Sequence, residues 1–210
     1  MKAIYLLKRR GAPIGDATMD FLHGRPFNVG EAPYCPACGR PMGMLSWEPP
    51  LRAELETWGK RFGDMAFGPG GDILISERFK DLWLKSGLVG LEGFEPVEIV
   101  KVVRRGKRFK EPPPAYFRVV AQRSQAAFDV VSSGVQWLEP PSPRCDVCRV
   151  GGNAKGWERI VLEEEPKENI FTVRGLGAWV LVDEHFKRFV EEHGLSNCPL
   201  VPAEEAAHWF

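Results

Sequence analysis

Four cysteines carry the strongest chemical signal in this chain: Cys35 and Cys38 form one C-x-x-C pair, Cys145 and Cys148 another, at an offset of 110 residues. A two-residue spacer lets both sulfurs of one knuckle reach the same ion, and two knuckles complete a tetrahedral all-thiolate site. No coordination position is then left for water, so such a site braces a fold rather than activating a nucleophile. Each pair supplies only two ligands. A four-cysteine zinc site therefore requires the knuckles to meet across a long stretch of chain, where the metal closes a loop and adds its binding free energy to folding. Separate sites completed by His or Asp, and disulfides or free thiols, are the alternatives. A thioredoxin-type C-x-x-C opens a helix, whereas both pairs here sit among Pro and Gly. Cys198 has no partner and reads as a small buried apolar residue.

Little else has the spacing of a reactive centre. Of the four histidines, His185 and His193 fall on a predicted helix, His23 in a loop and His208 near the end of the chain. None stands in a metalloprotease, nucleophile-elbow or deaminase pattern, and no H-x-E accompanies either C-x-x-C. An enzyme is not expected. A basic run (Lys101, Arg104, Arg105, Lys107, Arg108, Lys110) and an acidic block (Glu163, Glu164, Glu165, Glu168) read first as solvated faces. Their functional reading is complementary patches that steer a protein partner; nucleic acid is the rival for the basic run. Lys plus Arg and Asp plus Glu number 28 each, so the basic excess that phosphate binding relies on is missing, and nucleic acid is demoted.

The elements that must position these residues repeat. Trp47-Glu48 and Trp157-Glu158 each follow their knuckle by nine residues, and further on the offset is 107. There Gly68-Pro69-Gly70 matches Gly175-Leu176-Gly177, and ILISERFKDLWLKSGL (73–88) matches VLVDEHFKRFVEEHGL (180–195). Each of these units predicts a short buried strand, an N-cap at Ser76 or Asp183, and a glutamate in the first helical turn. The helices offer apolar stripes, Phe79, Leu82 and Trp83 in one and Phe186, Phe189 and Val190 in the other. Gly87 and Gly194 should end them in the left-handed conformation. The Gly68 and Gly175 segments precede their strands, so they are turns; a phosphate cradle needs glycine between strand and helix. A second short helix is predicted over 50–58. Strands are predicted at 97–103, 116–121 and 128–131, with RRGKR as a hairpin tip centred on Gly106.

The expected fold is α+β and strand-rich: two degenerate related halves joined by a structural zinc site. Residues 1–210 read as a single compact domain, with an internal repeat at 35–95 and 145–203 and a β-rich insertion at about 96–135. Twenty-three aromatic residues along the length argue against disorder. The N-terminus lacks the apolar core of a secretory signal, and no apolar run is long enough to span a bilayer. A cytoplasmic location away from any membrane is expected.

The residues CPACG (35–39), CDVCR (145–149) and ILISERFKDLWLKSGLVGLEGFEPVEI (73–99) resemble the myxobacterial double-CXXCG-motif family, immunity proteins of polymorphic-toxin (kin-discrimination) systems. The last segment is also similar to other toxin-immunity families with a strand–helix unit followed by Phe-x-Pro-Val. The resemblance implies an antidote that binds and neutralises a cognate protein toxin encoded by a neighbouring gene. It supplies no catalytic residues and no toxin-binding surface. Arg149 stands where the family's second motif ends in glycine, which is expected to relax the turn there, with Gly151 and Gly152 as replacements. The alternative reading is a zinc-containing nucleic-acid-binding protein that uses the basic hairpin 101–110.

Overall fold

Short apolar runs of β-branched residues become buried strands, and two of them run straight into capped helices. The computed structural model describes residues 3–7, 15–105, 110–139 and 143–209. In chain order the strands begin with β1 (Ile4–Leu7), β2 (Met19–His23), β3 (Asn28–Val29), β4 (Trp47–Glu48), β5 (Arg52–Thr57), β6 (Met65–Phe67) and β7 (Ile73–Ser76). Helix α1 (Glu77–Ser86) leads to β8 (Leu91–Arg104), β9 (Tyr116–Ala127), β10 (Gln136–Trp137) and β11 (Ala154–Trp157). Then come β12 (Ile170–Arg174), β13 (Leu181–Asp183), helix α2 (Glu184–Glu192), β14 (Leu200–Pro202) and β15 (His208–Trp209). The class is strand-rich α+β.

Ten strands form one sheet in the order β14-β1-β13-β12-β9-β7-β6-β2-β5-β8. Because β8 also pairs with β9, the strands from β9 to β8 close into a ring. The division of labour within β8 explains the closure. Its first half pairs antiparallel with β9, from Leu91↔Ala121 to Val97↔Tyr116, and its second half runs parallel to β5, from Arg52↔Glu98 to Thr57↔Arg104. The expected hairpin is therefore paired only up to Val97, and the strands separate before the basic run; Gly106, Lys107 and Arg108 lie outside the described residues. Strand β8 starts at Leu91, and β9 lies in the middle of the sheet. The expected strand at 128–131 reduces to a single bridge, Phe128↔Leu162.

The helix predicted over 50–58 is strand β5. Ala, Glu and Leu favour helix in isolation, but this segment alternates. Ala53, Leu55 and Thr57 are fully buried, while Arg52, Glu54 and Glu56 point outward. The outward residues pair with Glu98, Lys101 and Arg105 on and just beyond β8. A period of two with one face in a core selects a strand over local propensity.

The helix ends follow their sequence. Ser76 Oγ accepts from Phe79 N–H at 3.1 Å, and Asp183 Oδ1 accepts from Phe186 N–H at 3.0 Å. Gly87 and Gly194 both adopt positive φ, 73° and 56°. The two apolar stripes meet: Phe79 packs edge-on against Phe189 at 5.6 Å, and Trp83 against Phe189 at 5.8 Å. This aromatic cluster, with Ile73, Ile75, Val119 and Val182 beneath it, is one of three cores; a second lies inside the ring around Phe21 and Leu55, and a third around Phe171 and Trp157.

Beyond each helix the chain bonds to a segment distant in sequence. Asp64 accepts the backbone N–H of Ser76 on its carbonyl (2.8 Å) and the Ser76 hydroxyl on its side chain (2.9 Å); it also donates its N–H to Ser196 O, beyond α2, and accepts the Ser196 N–H on its carboxylate. Asn169 likewise accepts the Asp183 N–H on its carbonyl but donates its side-chain amide to the Asp183 carboxylate; its own N–H donates to Val89 O, beyond α1, and its side-chain oxygen accepts the Val89 N–H.

Candidate metal centre

Each knuckle is a tight turn closed on its own backbone. Gly39 N–H donates to Cys35 O at 2.9 Å, and Arg149 N–H donates to Cys145 O at 2.8 Å. Cys35 N–H donates to Arg40 O, and Cys145 N–H to Val150 O. Both turns need a left-handed residue after the second cysteine. Gly39 provides it at φ 68°, and Arg149 adopts it at φ 61°. The turn is therefore not relaxed by arginine, and Gly151 and Gly152 do not replace it. Arg149 remains in place through ion pairs to Glu163 and Asp146, and because Arg144 Nε donates to its carbonyl at 3.0 Å.

The fold brings all four expected sulfurs to one point. Cys35 Sγ lies 3.8 Å from Cys145 Sγ, Cys38 Sγ lies 3.7 Å from Cys148 Sγ, and all four fall within 4.8 Å of one another. A tetrahedron of sulfurs about 2.3 Å from a central zinc has edges of about 3.8 Å. A disulfide needs about 2.05 Å, so these are free thiols spaced as ligands. The cluster could hold a metal ion. Cys35 and Cys148 are buried, Cys145 is half-buried and Cys38 faces solvent.

Surrounding groups act unequally on the thiols: against the Arg40 amide, which lowers it, burial and the neighbouring sulfurs push the Cys38 thiol up to about 12. The amide N–H groups of Cys148 and Val147 point at Cys145 and pull its thiol down to about 6. Burial lowers the pKa of Arg123 on β9, and the nearby Cys148 and Cys35 sulfurs offset part of that shift. The knuckles are also tied together and to the sheet by arginine. Arg40 Nη1 donates to Val150 O at 2.7 Å, which links the first knuckle to the second. Arg174 on β12 donates to Val147 O and Gln125 O, and Arg144 to Phe128 O. Sequence reasoning missed these arginines. Their distance along the chain from the cysteines is arbitrary, so no spacing signals them.

Several other titratable residues singled out from the sequence are engaged in local contacts. His23 ends β2 rather than sitting in a loop; it bonds Asp72 at 2.9 Å and stacks near Trp47 at 4.5 Å. Cys198 packs partly buried against the helix core, where burial pushes its thiol up. In the basic run, Lys101 pairs with Glu54 and Arg105 with Glu56, while Arg104 donates to Glu111 O. In the acidic block, Glu163 pairs with Arg149 and Glu164 with Arg174. His185 is exposed on α2, beside Arg188.

Fold and site together define a strand-rich α+β protein with a four-cysteine cluster where two distant turns meet. No protein-family model matches the chain. Among the described residues no helix is long and apolar enough to cross a membrane.

Proposed function

We propose that this chain is an immunity protein: a zinc-braced, cytoplasmic binding scaffold that neutralises a cognate protein toxin and performs no chemistry of its own. The observation that carries the reading is the sulfur cluster, whose edges of 3.7 and 3.8 Å suit a four-coordinate zinc with every position taken by protein. The double C-x-x-C and the strand–helix segment at 73–99, which resemble toxin-immunity families, supply the biological direction. Zinc is the metal of choice because four thiolates in a tetrahedron suit it, with no oxygen donors for harder ions. The test is co-expression with the protein encoded beside it. Survival of cells otherwise killed by that protein, with a stoichiometric complex on purification, is expected; undiminished killing removes the reading for that pair.

The same reading takes the molecule as two degenerate related halves joined at the metal. Several pairings recur at sequence offsets between 105 and 112 residues. The parallel bridge Asp20↔Phe67 corresponds to Arg174↔Ala127, the caps Ser76 and Asp183 correspond, and so do Val89 and Ser196 with their reciprocal bonds to Asn169 and Asp64. Gly93↔Val119 between β8 and β9 likewise corresponds to Leu200↔Leu7 between β14 and β1. On this alignment β9 belongs to the second copy as the counterpart of β1 and β2, and the copies exchange their first strands. Each cysteine then faces its own counterpart, Cys35 with Cys145 and Cys38 with Cys148, which sets the metal on the approximate two-fold axis between the halves.

The nucleic-acid reading loses ground on charge. Lys101 and Arg105 are already neutralised by Glu54 and Glu56, so fewer free cations face a phosphate backbone than the run suggests.

A further inference from the structure

Two hairpins stand at corresponding places behind the knuckles, and they are finished differently. Strands β10 and β11 gain a third strand, because the C-terminal β15 adds to β11 through Gly156↔Trp209 and Trp157↔His208. Buried Trp157 donates its indole N–H to Ala206 O in that same tail at 2.9 Å, and His208 stacks on its ring at 5.1 Å.

Strands β3 and β4 have no such addition among the described residues and remain a two-stranded ladder. Trp47, the counterpart of Trp157, is buried; His23 gives it the ring contact that His208 gives Trp157. Its indole N–H nonetheless has no acceptor among the described residues. Gly30 N–H donates to Ser46 O at 2.9 Å, so Ser46 and Glu48 turn their backbone groups toward β3. By alternation Leu45 and Trp47 turn theirs outward. Around this edge Leu45, Met44, Phe27 and Val29 are exposed, at 54, 58, 46 and 49% of their surface. An open strand edge flanked by solvated apolar side chains is a template for another strand.

We propose that the outer edge of β4 is a docking edge that takes up an extended segment of a partner protein as an antiparallel third strand. The chain's own tail on β11 is the template for its occupant: small residues followed by an aromatic one, with a backbone carbonyl where Ala206 O stands, ready for Trp47. Apolar side chains of that segment cover Val29, Phe27 and Leu45. A second copy's tail is the less fitting occupant, since β15 is already engaged on β11 of its own chain. That the partner is a toxin rests on the reading above; the docking edge rests only on the correspondence between the two hairpins.

The experiment uses the full-length protein and a peptide of residues 203–209, AEEAAHW, as probe. One peptide should bind per chain, and the indole N–H resonance of Trp47, identified by its loss in Trp47→Phe, should move to a hydrogen-bonded position. Leu45→Pro removes an outward N–H without touching the ladder to β3, and Leu45→Lys leaves the backbone intact but places a charge on the edge; each should weaken binding about tenfold or more. If Leu45→Pro fails to fold, Leu45→Lys decides. Absence of binding, binding that Leu45→Lys leaves unchanged, or a dimer in which a second copy's tail holds this edge overturns the proposal. Failure here leaves the immunity reading standing, and failure of co-expression rescue leaves the edge standing.

Discussion

At the scale of single residues, Arg149 shows how a turn can outvote a side chain. A non-glycine residue in the left-handed region costs about 1–2 kcal/mol, and its ion pair with Glu163 returns a fraction of that, because partly exposed pairs are worth up to about 1 kcal/mol. Arg149→Gly should therefore leave stability within about 1 kcal/mol of the parent, whereas Arg149→Ala, which keeps the strain and loses the pairs, should destabilise by up to about 1 kcal/mol in urea unfolding. A larger loss in the glycine variant would mean that the side chain, not the backbone, holds the knuckle. The thiols make a second prediction. A pKa depressed to about 6 means that Cys145 is already ionised in the metal-free protein at neutral pH. Metal binding at pH 7 should then release fewer than four protons, rising toward four as pH falls through 6, with affinity falling in step. Calorimetry in buffers of different ionisation enthalpy reads that number directly; four protons at pH 7 would contradict the depressed thiol.

At the scale of elements, each helix begins on a cap whose side chain is itself held. Ser76 accepts from Phe79 N–H and donates to Asp64, and Asp183 accepts from Phe186 N–H and from Asn169. Replacing a cap typically costs about 1 kcal/mol. Ser76→Ala should exceed that modestly, since it also leaves a buried Asp64 oxygen short of a donor, at up to about 2 kcal/mol in all. Thermal unfolding of Ser76→Ala beside Asp64→Asn separates the two contributions, and a loss in Ser76→Ala with none in Asp64→Asn would show that the cap alone matters. Strand β5 teaches the complementary lesson. Its residues favour helix, yet Ala53 and Leu55 face a core and Glu54 and Glu56 face cations on the neighbouring strand, so the partner strand decides.

At the scale of the whole molecule, the sulfur cluster and the helix pair brace different regions. The helices and the ten-stranded sheet share large aromatic and aliphatic cores that do not include the knuckles beyond their flanks. Chelation should therefore loosen 33–42 and 143–151 while the helices and β9 persist. Hydrogen exchange should rise in those two segments and far-UV circular dichroism should change little. The melting temperature should fall by an amount that depends on free metal concentration, as linkage requires. Complete unfolding on chelation would instead make the metal a condition of the whole fold, as in small zinc modules.

The sequence by itself determined what local chemistry can specify: the two knuckles, the caps at Ser76 and Asp183, the left-handed glycines after the helices, and the apolar stripes that those helices carry. These depend on residue type and short spacing, and short-range sterics and hydrogen bonding enforce them. Only the tertiary structure decided that β5 is a strand, that β8 divides its edges between β5 and β9, that Arg149 keeps a glycine's conformation, and which arginines gather round the sulfurs. Each of those depends on a partner distant in the chain, and a single sequence carries no term for a contact until the fold has brought its two sides together.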